Sequence, residues 1–370
     1  MIQPASPSIG IAAIATYEPP WVLGNEWFAG TIPRKFVHHT GIRSRPISRE
    51  DEVTLAEGSV RNLVRDTGCD LADCAALVLA SPSFVPRRAA RKFLSVEEVR
   101  RESPQRAAHE LASRLNLRAV PVWGINWFCS GYSKAFHVVL RRVLPRIELS
   151  KGQFVLVVTA SRISRITDYS CQQTAGLFGD LATATLLSRT DSLKYPVHLE
   201  LLYAAAEKRP VDGVFFDFHL RNSIPFPAED GGRVVDPQRL VFSLDGMGIA
   251  DVAPRAMAGA IAGGLSAAGI SPSDVQFVIP HQAGTAIVRL AAMKIEALGI
   301  SGEVINGHTE TVGNVSSGSI PYTLHKLWPR LSGIIACPTA AVGNPGVAEV
   351  SQGCVLLRAT PRHQQCARAA

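Results

Sequence analysis

Almost wholly apolar runs recur along the chain at 74–80, 119–126, 154–160, 275–280 and 333–337. Their unbroken apolarity, in place of alternation, assigns them to strands of sheets covered on both faces by helices. Between them the spacing changes. Amphipathic helices are predicted around 55–67 and 254–268, and another behind residue 129, where Tyr132, Phe136, Val139, Leu140 and Val143 recur at core-facing positions. A further helix is predicted over TAIVRLAAMKIEAL, from 285 onward.

These elements repeat. Gly68 to Ala80 reads as a helix stop, a short turn and a buried strand, and Gly269 to Pro280 reads the same way, with Gly68 matching Gly269 and Asp73 matching Asp274. FVLVVTA (154–160) corresponds to GIIAC (333–337), and 178–188 corresponds to 350–359. Two such halves packed together predict an α/β fold of duplicated, five-layered αβαβα architecture. The polar stretch RTDSLKY near 190 sets the boundary, giving halves 1–190 and 191–370. The first half carries an extra stretch, about 83–106, rich in Pro, Arg and Glu. It reads as a surface insertion or lid, or as a plain spacer helix.

Composition narrows the class. With 46% hydrophobic residues in 370, the chain is long enough for two modest cores or one large one and is not disordered. No apolar run reaches 18 residues, so no membrane span is expected. The N-terminus lacks a basic segment followed by a long apolar one, so no secretion signal is expected either. The seven cysteines (69, 74, 129, 171, 337, 354 and 366) are odd in number and show no C-x-x-C spacing. That argues against a disulfide framework or a metal site and makes a reducing cytoplasm the simplest setting. Cys74, Cys337 and Cys354 lie in apolar runs as small buried hydrophobes. The charged fraction of 19% suits an oligomer that hides part of its surface.

The net charge of +7 raises the question of nucleic acid, but no nucleic-acid motif is present and the basic residues do not gather on one periodic face. They concentrate between Arg87 and Arg106, and at Arg141, Arg142 and Arg146. Two readings stay open: a solvated arginine-rich surface, or a landing surface for an acidic or phosphate-bearing partner.

Three residues could carry chemistry. Cys129 lies where the 119–126 strand hands over to a helix N-terminus, whose free N–H groups and dipole are expected to lower the thiol pKa. Ser130 and Gly131 leave room beside the sulfur; the bland alternative is a buried, inert thiol. His281 follows the 275–280 strand, at the sheet edge where α/β proteins gather ligand-binding groups, or it is a satisfied polar residue at a strand end. Asn314 sits in a Gly/Ser-rich loop that opens a helix, where it is either an amide donor in a crowded site or an ordinary N-cap. His308 and His137 read as a turn and a helix residue, and Asp180 as a turn anchor.

Taken in order, the motifs resemble the β-ketoacyl-acyl carrier protein synthase III family of thiolase-like enzymes. Thr40-Gly-Ile-Arg-Ser-Arg45 is similar to its TGIRxR signature, Cys129-Ser-Gly-Tyr132 to its nucleophile turn, and Phe178-Gly-Asp180 to its FGD turn. Pro280-His-Gln-Ala283 and Gly313-Asn-Val-Ser-Ser-Gly-Ser-Ile-Pro321 match PHQA and GNxSxxSIP. Five signatures in order are far more specific than any one of them. The resemblance implies a thiolase-like fold, Cys129, His281 and Asn314 as catalytic residues, and no metal or organic cofactor. Acyl-CoA or acyl carrier protein would acylate Cys129, and a malonyl-type thioester would condense with it after losing carbon dioxide. The N–H of Cys129 and one from the loop 343–353 would hold the oxyanion. Lys35, His39, Arg43 and Gly284 would meet coenzyme A, and a homodimer would form by edge-to-edge sheet pairing. Arg87, Arg88, Arg91, Lys92, Arg289 and Lys294 would face an acidic carrier protein.

The chain also departs from that pattern. Lys35 and His39 stand where an aromatic and an arginine clamp adenine, Gly284 replaces an Asn, and Val347–Gly353 replaces a GGGxTWG loop. The insertion at 83–106 has no counterpart in shorter synthases. These changes point to a specialised relative. Its walls would come from 83–106 and 203–235. Alternatives are a same-fold acyltransferase making C–O or C–N bonds, a non-catalytic partner subunit, and a papain-type hydrolase. The intact Cys, His and Asn set weighs against the partner subunit, and the missing C-G-S-C-W turn weighs against the hydrolase.

Overall fold

The structure, a computed structural model, describes residues 8–117, 119–228 and 231–359. Cys366 lies outside the described residues. The first half runs β1 (Ile9–Tyr17), β2 (Val22–Gly24), α1 (Phe36–Thr40), β3 (Ser44–Pro46), α2 (Glu52–Thr67) and β4 (Cys74–Ala80). It continues through α3 (Arg87–Phe93), α4 (Val96–Arg101), α5 (Pro104–Arg114), β5 (Val122–Ile125), α6 (Gly131–Val138), β6 (Phe154–Ser161) and β7 (Leu181–Arg189). The second half runs β8 (Leu199–Pro210), β9 (Phe216–Pro227), β10 (Arg233–Leu244), α7 (Gly246–Ala268), β11 (Val275–Val278) and α8 (Thr285–Glu296). It ends with β12 (Glu303–Val304), α9 (Ser319–Leu327), β13 (Ile334–Val342) and β14 (Glu349–Ala359).

The duplication is visible in strand order. One half of the sheet reads β1-β7-β6-β4-β5 and the other β8-β14-β13-β11-β12. The halves meet through β1 and β8, paired at Gly10–Glu200 and Ile11–Leu199, so they form one continuous sheet instead of two separate ones. The residues 190–198 join β7 to β8. The matched glycines work alike. Gly68 (φ 67°) ends α2 and Gly269 (φ 65°) ends α7 in the left-handed conformation that glycine adopts without steric cost. Asp73 and Asp274 each close the short 3-10 turn before the next strand.

Three apolar cores separate five layers. α2 and α5 cover one face of the first half-sheet through Leu55, Leu63, Leu111, Leu77, Leu79 and Leu156. α7 and α8 cover the outer face of the second through Met257, Ile261, Ile295, Val278 and Leu356. Between the half-sheets lie α6 and α9, with Tyr132, Phe136, Ile320 and Leu324 packed against Val78, Val157, Ile335 and Val355. Each such fully buried Leu, Ile or Phe contributes about 2 kcal/mol.

Four expectations change in detail. The strand predicted at 119–126 is only Val122–Ile125 and is half-buried, because it is an edge that pairs with β4 alone. The helix predicted from 254 begins at Gly246, capped by the Asp245 carboxylate, and carries Pro254 inside it. The insertion ends at Ser103, because α5 is a sheet-covering helix matching α8. Before it, α3 packs inward, with Val85, Ala89 and Ala90 buried in one cluster with Ile163, Phe216 and Phe218, whereas α4 buries no residue. Finally, 203–235 is regular structure: it contains most of β8, all of β9 and the start of β10, which pairs with β9 from Phe216–Leu244 to Pro227–Arg233.

Candidate active site

Two equivalent junctions, one per half, converge in the central layer. After β5 the chain makes a 3-10 turn, Phe128–Ser130, and enters α6; before α9 it makes the 3-10 turn Ser316–Gly318. Each turn starts on a non-glycine residue in the left-handed region, Phe128 (φ 44°) and Ser316 (φ 50°). Such strained backbone persists where surrounding structure enforces it and clusters at functional sites. A Cβ on Gly131 would lie 2.9 Å from the Ser317 Cβ, so the two junctions approach as closely as glycine permits.

This convergence brings Cys129, His281 and Asn314 onto one cavity of about 660 Å³. Cys129 is half-buried, and its Sγ accepts a hydrogen bond from the Ser316 hydroxyl at 3.4 Å. His281 is 2% exposed, and its Nδ1 lies 2.7 Å from the Ser319 hydroxyl. That hydroxyl also receives the Gln282 N–H at 3.4 Å. The carboxamide of Asn314 is fixed at its oxygen, which accepts the Ser316 N–H at 2.9 Å. Its backbone is held by the 178–180 turn: Asn314 N–H donates to the Leu177 carbonyl, and Gly179 N–H donates to the Asn314 carbonyl. A Cβ on Gly179 would meet the Val312 carbonyl at 2.1 Å, which explains the glycine of that turn.

Asp180 is buried and ties three segments together, accepting from Ser48 N–H, Ser164 N–H and the Ser164 hydroxyl. Burial raises its pKa to about 6, against those hydrogen bonds. It is a turn anchor, as its sequence context suggested. His137 and His308 do not line the cavity.

The electrostatics correct one expectation. The thiol of Cys129 is not activated at rest: burial pushes it up to about 11, against the lowering effect of the Ser316 hydroxyl. Desolvation of the thiolate outweighs the hydrogen bonds from the Ser316 hydroxyl and the Cys129 N–H. Burial likewise lowers His281 to about 4, so the imidazole is neutral and no imidazolium stands beside the sulfur.

The walls are apolar. Ile163, Ile166, Phe178, Phe216, Phe242 and Met257 line the deep part, and His39, Thr40, Met247 and Gly284 line the approach. The 203–235 region therefore supplies a wall through its hairpin, whereas 83–106 does not line this cavity. Gly284 sits at φ 135°, a conformation reserved for glycine, just before α8. Lys35 and Arg43 are not on the cavity. Lys35 is exposed at the start of α1, and Arg43 is exposed and ion-paired to Glu310 at 3.0 Å. The stretch 343–353 is also off the lining, since Glu349–Gly353 belongs to β14 in unbroken register with β13; Ala340, Ala341 and Val342 of β13 face the cavity instead. Single-sequence reading missed Ser316, Ser319 and Phe128. The two serines were signalled only by lying inside the GNxSxxSIP motif, and Phe128 by preceding the cysteine. Among the described residues, no group of three or more His, Cys, Asp or Glu side chains is placed to hold a metal ion, and no helix is long and apolar enough to cross a membrane.

A duplicated αβαβα fold with thiol, imidazole and carboxamide on one apolar cavity defines a thiolase-like condensing enzyme. The family model described as 3-oxoacyl-[acyl-carrier-protein (ACP)] synthase III matches residues 124–200, and that for the C-terminal part of the same synthase matches 265–332. The chain is thus similar to the β-ketoacyl-acyl carrier protein synthase III family in both of its halves. It is 26% identical over 320 residues to the β-ketoacyl-[acyl-carrier-protein] synthase III of Aquifex aeolicus, covering 85% of this chain and 89% of the relative. The solved structure of the 3-oxoacyl-[acyl-carrier-protein] synthase III from the same organism superposes with a TM-score of 0.67 at 22% identity, over 95% of this chain and 99% of that one. The priming β-ketosynthase of the R1128 polyketide pathway gives 0.66 at 18% identity, over 98% and 99%. At those identities the structures speak for the fold alone.

Proposed function

We propose that the protein makes β-ketoacyl thioesters by decarboxylative Claisen condensation, with Cys129 as the acyl carrier. The observation that carries this reading is the meeting of Cys129, a neutral His281 and an oriented Asn314 on one apolar cavity. In the first half-reaction the sulfur of Cys129 attacks an acyl thioester. The acyl–sulfur bond of the donor breaks, and its thiol leaves with the proton lost by Cys129. The new ester sits between apolar walls that exclude water.

In the second half-reaction a malonyl-type thioester loses carbon dioxide and becomes an enolate. Negative charge grows on its oxygen, and preorganised neutral donors stabilise it most. Ser319 receives the Gln282 N–H and is free to give its own proton to His281 Nδ1, which leaves the imidazole proton on Nε2 as a donor. The Asn314 oxygen is occupied by Ser316 N–H, so its amino group is the free end. The enolate carbon then attacks the acyl carbonyl and expels the Cys129 thiolate.

The same electrostatics disfavour transfer to an alcohol or amine. An imidazole with a pKa near 4 is a weak base for taking a proton from such a nucleophile. The donor would reach Cys129 past His39, Thr40 and Gly284, as a pantetheine arm on coenzyme A or on a carrier protein. Lys35 and Arg43 could engage only the distal end of a donor, because both lie off the cavity. Arg289 and Lys294 on α8, with Arg87, Arg88, Arg91 and Lys92 on α3, are cations suited to an acidic carrier protein. We also propose a homodimer and a cytoplasmic setting, with no cofactor beyond the thioester substrates.

The test is a two-stage incubation of the whole protein. Acyl-CoA should add one acyl mass to the protein, and malonyl thioester should then release carbon dioxide and remove that mass. Acylation without carbon dioxide release by any malonyl thioester would instead favour acyl transfer.

A further inference from the structure

We infer that Phe128 is a specificity-determining gate between the cavity that holds Cys129 and a second chamber behind it, which takes the far end of a long acyl group. This rests on the reading of Cys129 as the acyl carrier. The second chamber, of about 500 Å³, has a mixed lining: Phe84, Val85, Val99 and Trp127 stand beside the charged Arg87, Arg100, Glu102 and Lys208 and the exposed Asn344. Phe128 and Val342 line both cavities, so together they form the partition.

Phe128 is built to be such a partition. It precedes the nucleophile, so its ring stands within one residue of where an acyl group would start. Its backbone is held left-handed by the turn, which fixes where the side chain leaves the chain. Its ring is only half-buried and rests edge-on against Phe216, with centroids 4.8 Å apart. That edge contact is a single aromatic pair, and a rotation of the ring that breaks it would join the two volumes. The chamber floor comes from the insertion: Phe84 and Val85 lead into α3, and Val99 sits on α4. The segment with no counterpart in shorter synthases would thereby lengthen the acyl site without touching the catalytic groups.

Discrimination between acyl chains in an apolar pocket grows by small steps per methylene, so chain-length preference is a sensitive readout. Acylation rates of the whole protein should be measured by intact mass with butyryl-CoA and dodecanoyl-CoA. Phe128→Ala should raise the dodecanoyl-to-butyryl rate ratio about tenfold. Adding Asn344→Trp or Val99→Trp to that variant should return the ratio toward the wild-type value by plugging the chamber. The Asn344 position is an exposed turn, so it guards against misfolding at Val99. An unchanged ratio in Phe128→Ala, or a raised ratio that neither plug lowers, overturns the gate. If the wild-type protein takes neither acyl group, the reading of Cys129 itself falls and the gate falls with it.

Discussion

The two halves of this molecule repeat the same strand order and the same helix-opening turn, yet they contribute opposite chemistry. In the first half, left-handed Phe128 is followed by Cys129, which presents a sulfur to the cavity. In the second, left-handed Ser316 is followed by Ser317, packed against Gly131 with no reactive group offered. The second turn serves the first instead: Ser316 bonds Cys129, and Ser319 bonds His281. The comparison teaches that duplication supplied two converging helix starts, and that chemistry arose from making them unlike. On the proposed mechanism, one carries the covalent bond, while the other orients the groups that stabilise charge.

The sharpest way to break this division is to remove the sulfur. Cys129→Ala should eliminate the acyl adduct in intact mass and lower condensation on the order of 10^4-fold or more. A surviving adduct would move the nucleophile elsewhere. Next in size come the C-terminal groups. His281→Ala and Asn314→Ala should each reduce carbon dioxide release from malonyl thioester about 10^2- to 10^3-fold, while the acyl adduct on Cys129 still forms. Equal loss of both half-reactions would contradict the division of labour. Because burial lowers His281 to about 4, the neutral form persists as pH falls through the usual histidine range. Decarboxylation should therefore show no break near the ordinary histidine pKa and should decline only as pH approaches 4.

How much of this could be read from one sequence follows from the same contrast. The repeated parts were legible, because local rules govern them: Gly68 and Gly269 end helices, apolar runs make buried strands, and the motif residues sit at strand-to-helix junctions. Cys129, His281 and Asn314 sit at such junctions within ordered motifs, and the fold brings all three to one cavity. The unrepeated parts were not legible. The β9–β10 hairpin interrupts the second repeat, and Phe216 and Phe242 reach the cavity only through packing with Ile163 and Phe178. The direction of the thiol pKa was not legible because a helix start is visible in sequence, whereas the burial that raises the thiol is built by segments distant along the chain. Lys35 and Arg43 were assigned by position around a motif, which does not say how far from the cavity they stand: both are exposed and off its lining, and Arg43 pairs with Glu310.

Smaller effects would sharpen the comparison. Ser319→Ala leaves the imidazole in place but removes the hydroxyl that selects its tautomer. Condensation should fall about tenfold, with acylation spared, as for other outer hydrogen-bond partners of functional histidines. A loss as large as that of His281→Ala would assign Ser319 a direct part in the reaction.

The least effect, and the most informative about the thiol, belongs to Ser316. Its hydroxyl is the one side chain that lowers the Cys129 pKa against burial, and its bond to sulfur spans the two halves. Since the thiol titrates near 11, alkylation by iodoacetamide should be slow at neutral pH and rise steeply only as pH approaches that value. Ser316→Ala withdraws a donor that favours the thiolate, so the midpoint of that profile should move to higher pH and the neutral-pH rate should drop a few-fold. Ser316→Thr, which keeps the hydroxyl, should restore most of it. If Ser316→Ala leaves the profile where it was, the bond between the halves is a packing contact, and the second turn acts on the site through His281 and Asn314 alone.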